Sequence, residues 1–315
     1  MIDRWLLRPS TAEHLAALRI GLFAVVLVRV LATDWRGLAD DALLQPLGVA
    51  HVWSLVPHTA LVVLALEAVV AVACVLAVVG VGARVAMPLA WCGFLLLSGL
   101  HTSQGKLMHN DVLLLVAALP VALGPAADAW VWRRRDAAPA EPRGTPTAYG
   151  FWTNLSIASV ALVYGLAGLQ KLRHSGPEWV FSDNLRNVLL GSTNGRDPGS
   201  IAHDLADAPS WALRTVAAAT LLFELSFLLL LSHRIRRWGA FWALGAAGMH
   251  AGIGAAMGLD YTRWIAVDLI VLVPWATAFA VRFPAAGDGE TDGRRRGRAT
   301  RAPAARAPAV RPPTG

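Results

Sequence analysis

Eight apolar runs, separated by short polar or basic breaks, dominate this chain of 315 residues. They cover 14–32, 59–80, 83–99, 111–124, 151–171, 211–231, 238–257 and 264–281. A helix needs about 20 apolar residues to cross a bilayer. Most of the runs reach that length; the fourth is short and is stopped by Gly124-Pro125. A buried core of a soluble protein does not need apolar stretches this long and this regular, so the pattern predicts an all-α polytopic membrane bundle of about eight transmembrane helices. Composition agrees. Hydrophobic residues are 56% and charged residues 16%, against roughly 25% charged in an average soluble domain. Too few polar side chains remain to cover a soluble surface of this size.

The formal net charge of +7 raises the question of nucleic acid. The basic residues, however, sit in short clusters between apolar runs: Arg133-Arg134-Arg135, then Arg234, Arg236 and Arg237, then Arg294-Arg295-Arg296. No folded basic domain carries them, so nucleic-acid binding is not expected. Membrane topology explains the clusters better, because cytoplasmic segments collect Lys and Arg. With eight crossings and the N-terminus inside, inside segments hold 18 Lys and Arg and outside segments hold 6. This predicts a multi-pass protein of the cell membrane with both termini cytoplasmic. The first apolar run is long and carries Arg19 and Arg29, so it reads as a retained helix rather than a cleaved signal.

The expected domains are a transmembrane unit, 1–284, and a basic tail, 285–315. The tail is Gly, Arg, Ala and Pro without an apolar face, which predicts disorder. Cys74 and Cys92 both fall inside apolar runs and imply neither a disulfide framework nor a metal site. Phosphate-binding loops, metal-protease signatures and nucleophile elbows are absent from the sequence. Halves of inverted topology with paired broken helices, the mark of many transporters, are absent too.

Ionisable residues at membrane depth are costly and usually face a cavity or a partner. Glu67, in the second run, reads as a packed hydrogen-bonded group, as a salt-bridge partner of Arg19 or Arg29, or as functional. Glu224, placed in the inner half of the sixth run, reads as packing, pairing or function. His250 has the same alternatives in the seventh. The polar stretch 101–111 includes His109-Asn110-Asp111 at the start of the short fourth helix. There, Asn110 or Asp111 is explained by capping, whereas His109 is not. Lysine is scarce: only Lys106 and Lys171 occur. Lys171 ends the fifth run and either snorkels to the interface or serves as a base, which Arg cannot do. Gly165 and Gly168 thin the helix before it and leave room for a neighbour or a ligand. By topology His109, Asn110, Lys171 and His250 fall toward the outer leaflet, with Tyr261 and Asp268 as further candidates. One polar cavity holding them is the expectation.

These residues also carry a resemblance. Leu18-Arg19-Ile20-Gly21-Leu22, the pair His109-Asn110, the stretch Tyr164-Gly165-Leu166-Ala167-Gly168-Leu169-Gln170-Lys171-Leu172 followed by Trp179, Leu221-Leu222-Phe223-Glu224-Leu225 and Met249-His250 resemble, in order and spacing, the HTTM family. That family is the transmembrane module shared with vitamin K-dependent gamma-carboxylase, and the resemblance covers roughly 15–275. It implies a catalytic lysine at Lys171, an assisting histidine at His109, and a pocket for a reduced quinone with Asn110, Tyr164, His250 and Trp179 as cofactor-binding candidates. Three departures stand out, one of them three residues added around Arg173–Pro177 before Trp179. Gln170 occupies the place of a second lysine, and no large extracytoplasmic domain follows the membrane module in this sequence. The resemblance therefore implies a membrane protein with an outward-facing polar pocket for a quinone or lipid and redox-coupled chemistry. The alternative is a non-catalytic partner or maturation factor for an exported peptide or protein.

Overall fold

The computed structural model describes residues 5–39, 48–55, 59–103, 109–132, 144–232 and 236–273, with the side chains at 39, 48–50, 109 and 236 excepted. Within them the chain is a helical bundle without strands. Its long helices are α1 (Ala12–Leu31), α3 (Ala60–Val79), α4 (Ala83–Thr102), α6 (Pro146–Ser175), α10 (Ser210–Ser226) and α11 (Gly239–Met257). Shorter ones are α2 (Trp35–Ala39), α5 (Val112–Leu123), α7 (Glu178–Phe181), α8 (Asn184–Gly191), α9 (Ile201–Ala206) and α12 (Thr262–Leu272). Among the described residues, six stretches are long and apolar enough to cross a membrane: α1, α3, α4, α6, the run Ser210–Leu231 that extends α10 through a 3-10 turn, and α11. The protein is a multi-pass membrane protein.

Eight crossings were expected, and among the described residues six helical stretches meet the length. The fourth run gives α5, only 12 residues long, about 18 Å of helix. Pro120 interrupts its hydrogen bonding from within, and Gly124 ends it. The eighth run is helical from Thr262 to Leu272; its continuation, and the expected tail at 285–315, lie outside the described residues. So do Gln104, Lys106 and the arginines 133–135.

Local chemistry starts the helices where the sequence changes character. Thr11, Thr59 and Thr145 each accept a hydrogen bond from a backbone N–H in the first turn of α1, α3 and α6. This satisfies one of the donors a helix start leaves open, and Pro146 adds a preset φ at the start of α6. Between α3 and α4 the chain reverses within three residues. Gly80 there adopts φ 87°, a left-handed geometry that side chains resist. A Cβ on Gly80 would also stand 2.7 Å from the Val131 backbone.

Outer faces are apolar: α3 exposes Leu61, Leu64, Val69, Val72, Val75 and Val79, as lipid contact requires. Inside, polar groups pin helices to loops. Arg19 is fully buried and donates to the carbonyls of Ala126 (2.7 Å), Ala129 (3.2 Å) and Trp130 (2.6 Å). Asn154 of α6 donates to the Trp5 and Leu6 carbonyls, each at 2.9 Å. Ser156 donates to the Ala117 carbonyl of α5 at 3.0 Å. Each contact replaces the water that a membrane interior withholds.

Candidate functional site

Helix α6 is the spine of the site. Gly165 faces the Leu228 side chain, and Gly168 faces Leu225 and Glu224. Residue numbers rise along α6 as they fall along the facing chain, so α6 and α10 run antiparallel. The two glycines admit a neighbouring helix, the first of the two roles expected for them. Close approach sets Lys171, one turn beyond Gly168, against Glu224: the ammonium donates to both carboxylate oxygens. The Lys171 Nζ also lies 5.2 Å from the centre of the Trp179 ring, a cation–π distance. Trp179 belongs to α7, which follows directly on α6.

This pairing corrects one expectation. Lys171 and Glu224 were assigned to opposite halves of the membrane, yet they are in contact. The reason lies in the segment between α6 and α10. Helices α7 and α8 fold back against α10, and Leu189, Ala202, Ala206, Leu213 and Ala256 form a small apolar core there. The first turns of α10 stand beside this cap, so counting inward from Ser210 places Glu224 too deep.

Three further groups meet lower on α6. The Tyr164 hydroxyl donates to Asp268 Oδ2 at 2.6 Å and lies 2.7 Å from His250 Nε2. Tyr164, His250 and Asp268 are 2%, 4% and 0% exposed and come from α6, α11 and α12. Tyrosine has one hydroxyl proton. Given to Asp268, it leaves the phenol oxygen to accept from His250 Nε2–H, and Nδ1 then carries a lone pair. Among the described residues neither His250 Nδ1 nor Asp268 Oδ1 has a hydrogen-bond partner. Aromatic rings enclose the trio. Tyr164 stacks on Phe227 with centroids 3.9 Å apart, His250 stacks on Tyr261 at 4.6 Å, and Trp264 meets both edge-on. Glu224 lies in the last turn of α10, one turn before Phe227, which stacks on Tyr164, so the pair and the trio share one neighbourhood.

Of the expected residues, the structure joins Lys171 with Trp179, and Tyr164 with His250, with Tyr261 and Asp268 beside the latter. Asn110 reaches the same region by its backbone: its carbonyl accepts from Trp264 Nε1 at 2.8 Å. His109 opens the 3-10 turn His109–Asp111, and its side chain lies outside the described residues. Glu224 is the site residue that sequence reasoning left open between packing, pairing and function. Its signal was a carboxylate in an apolar run of a chain with a lysine ending another run, but the expected depths kept the two apart.

A second polar cluster sits where α1, α4, α5 and α12 meet. Asp111 does not cap α5 with its side chain, as expected for it or Asn110. It accepts instead from Arg29 Nε at 3.0 Å, forms an ion pair with Arg263 Nε at 3.4 Å, and meets the Ser98 hydroxyl at 3.4 Å. A buried carboxylate is held better by guanidinium than by a frayed helix start. Arg29 further contacts Thr33 and His101 Nδ1 and lies under the Trp35 ring, 4.9 Å from its centre. Both arginines expected to answer Glu67 are thus engaged elsewhere, and Glu67 has no salt bridge among the described residues.

At the rim of this cluster, burial opposes ionisation of Asp260. Hydrogen bonds from the Thr262 hydroxyl and N–H, with the Arg263 guanidinium nearby, outweigh it and hold the carboxyl below its ordinary 3.8. A depressed folded value contributes stability above the unfolded value and loses it as pH falls through the folded one. Thermal unfolding of wild type and Asp260→Asn should therefore differ at pH 6 and converge below pH 3.8. A gap that persists at low pH would contradict this.

The chain matches no family model, no curated protein and no solved structure.

Proposed function

We propose that this membrane protein binds a quinone or related lipid in a polar pocket of its bundle and exchanges a proton with it, as its resemblance to the HTTM family suggests. The observation that carries the reading is the convergence of ionisable groups from four helices, with the Lys171–Glu224 pair above the Tyr164–His250–Asp268 trio. Packing alone does not call for it, because each such group is costly in a membrane interior. The polar set suits a reduced quinone: its hydroxyls can donate to His250 Nδ1 and Asp268 Oδ1, Lys171 can donate to its oxygen, Glu224 can hold the balancing proton, and Trp179 with Trp264 offers flat apolar walls. The two orphaned atoms, His250 Nδ1 and Asp268 Oδ1, are polar sites that a ligand group would satisfy. A bound quinone supplies electron transfer. The residues of the chain orient it, exclude water and store the proton, Lys171 giving it to or taking it from Glu224 within one hydrogen bond. In this reading the pocket opens outward and both termini are cytoplasmic.

Mass spectrometry of the purified protein tests this. A quinone or isoprenoid lipid should accompany the wild type. Lys171→Met should weaken its binding by roughly tenfold or more, the weight of a hydrogen bond to a charged group. Tryptophan quenching on titration with a short-chain quinone supplies the affinity. No accompanying quinone, together with equal quenching in both proteins, would sink the reading.

A second reading, a non-catalytic partner of an exported peptide, draws support from the cap segment, where Phe181, Val188, Ile201 and Leu205 are exposed. Crosslinks from these positions to a peptide, with no quinone bound, would favour it.

A further inference from the structure

We infer that Arg263, with the Arg29 charge behind it across Asp111, forms a phosphate-binding site at the membrane face where α1 ends, and that a phospholipid headgroup occupies it. The inference is independent of the quinone pocket. Two guanidinium groups, on α1 and α12, converge on one buried carboxylate, Asp111. Arg29 is well satisfied: its nitrogens contact Asp111, Thr33 and His101. Arg263 is not. Its side chain is 17% exposed, and among the described residues its five N–H donors make no hydrogen bond. Its Nε is buried without a partner, since the 3.4 Å approach to Asp111 lacks hydrogen-bond geometry. The remaining contact is an ion pair with Asp260 Oδ2, also at 3.4 Å, and the Asp260 side chain is 55% exposed.

A guanidinium that is mostly buried and unbonded costs free energy. Its planar fork matches the paired oxygens of a phosphate. Within the cluster the buried charge is two positive against one negative, and the second carboxylate stands at the solvent edge, where it is screened. Depth selects the source. Helix α1 has 20 residues, about 30 Å of rise, which equals the thickness of a hydrocarbon core. Arg29 lies in its last turn, so the cluster is at headgroup level. Trp35, stacked on Arg29, is of the residue type enriched there. Acyl chains of such a lipid would run along the apolar flank of the bundle.

The test uses the full chain, purified in an uncharged detergent, with three probes: phosphatidylglycerol, diacylglycerol and inorganic phosphate. Binding is read by native mass spectrometry and by the shift in thermal unfolding. Phosphatidylglycerol should bind saturably and diacylglycerol should not. Arg263→Gln should weaken phosphatidylglycerol binding roughly tenfold or more. Asp260→Asn should tighten it roughly two- to fivefold, by removing a competing but screened charge. This second variant gains binding, so a folding defect cannot mimic it, and asparagine keeps the oxygen that accepts from Thr262 N–H. Inorganic phosphate bound in place of the lipid, with the same response to both variants, would keep the site and assign it a soluble ligand. Equal binding of diacylglycerol and phosphatidylglycerol, or affinities unmoved by both substitutions, would overturn the inference.

Discussion

Asp111→Ala should cost the fold about 3–5 kcal/mol, the usual penalty for removing one partner of a buried ion pair. Asp111 is 3% exposed, and it is the single buried carboxylate between Arg29 and Arg263. Its loss leaves two guanidinium groups facing each other where α1, α4, α5 and α12 join. Repulsion and desolvation then act together, so the variant should yield little monodisperse protein in detergent and unfold well below wild type. Asp111→Asn separates the two contributions. It retains an oxygen for Arg29 Nε, at 3.0 Å in the native pair, but removes the charge, and its stability should fall between the other two. Equal unfolding temperatures for all three proteins would show that the cluster contributes nothing to the bundle.

Tyr164→Phe should be nearly as damaging, although it removes one oxygen atom. The ring can keep its stack on Phe227, so packing survives. What disappears is the shared partner of Asp268 and His250, and each already holds one unpaired polar atom. Two stranded groups at about 1–3 kcal/mol each give a loss of about 2–6 kcal/mol. The decisive measurement is a double-mutant cycle. Adding Asp268→Leu to Tyr164→Phe should cost less than the sum of the single changes, since one stranded carboxyl is removed with its partner. Strict additivity would mean that the hydrogen bond between them carries no coupling energy.

Most of the helices were legible in the sequence because hydrophobic run length is a local property. The caps at Thr11 and Thr145 start α1 and α6 upstream of the expected runs, which began at 14 and 151, because polar residues in a first turn carry no apolar signal. The exceptions are instructive. Run 111–124 reads as a candidate span, yet α5 is too short to cross alone, and it survives because Ser156 and Trp91 bond to its Ala117 and Leu115 carbonyls. Lys171 and His250 could be nominated from their residue types and depth, Tyr164 and Trp179 only from the resemblance. Their partners could not. Whether Lys171 meets Glu224, or Arg29 meets Asp111 rather than Glu67, depends on which helices are neighbours and how each is rotated. Apolar runs of nearly uniform hydrophobicity give little sign of either. Arg263 was passed over as a loop charge; its nearest local signal was Asp260 three residues earlier, a spacing that says nothing of Asp111.

Arg19 has a consequence for how the protein is made. Its first carbonyl partner, Ala126, lies 107 residues downstream. Ribosomes add about 5–20 residues per second, so roughly 5–20 s pass between synthesis of the charge and of the backbone that receives it. Throughout that interval the first span carries a guanidinium with no protein acceptor of its own. Biogenesis must therefore hold this helix beside water, headgroups or the insertion machinery until the middle of the chain emerges, and release it into lipid only then.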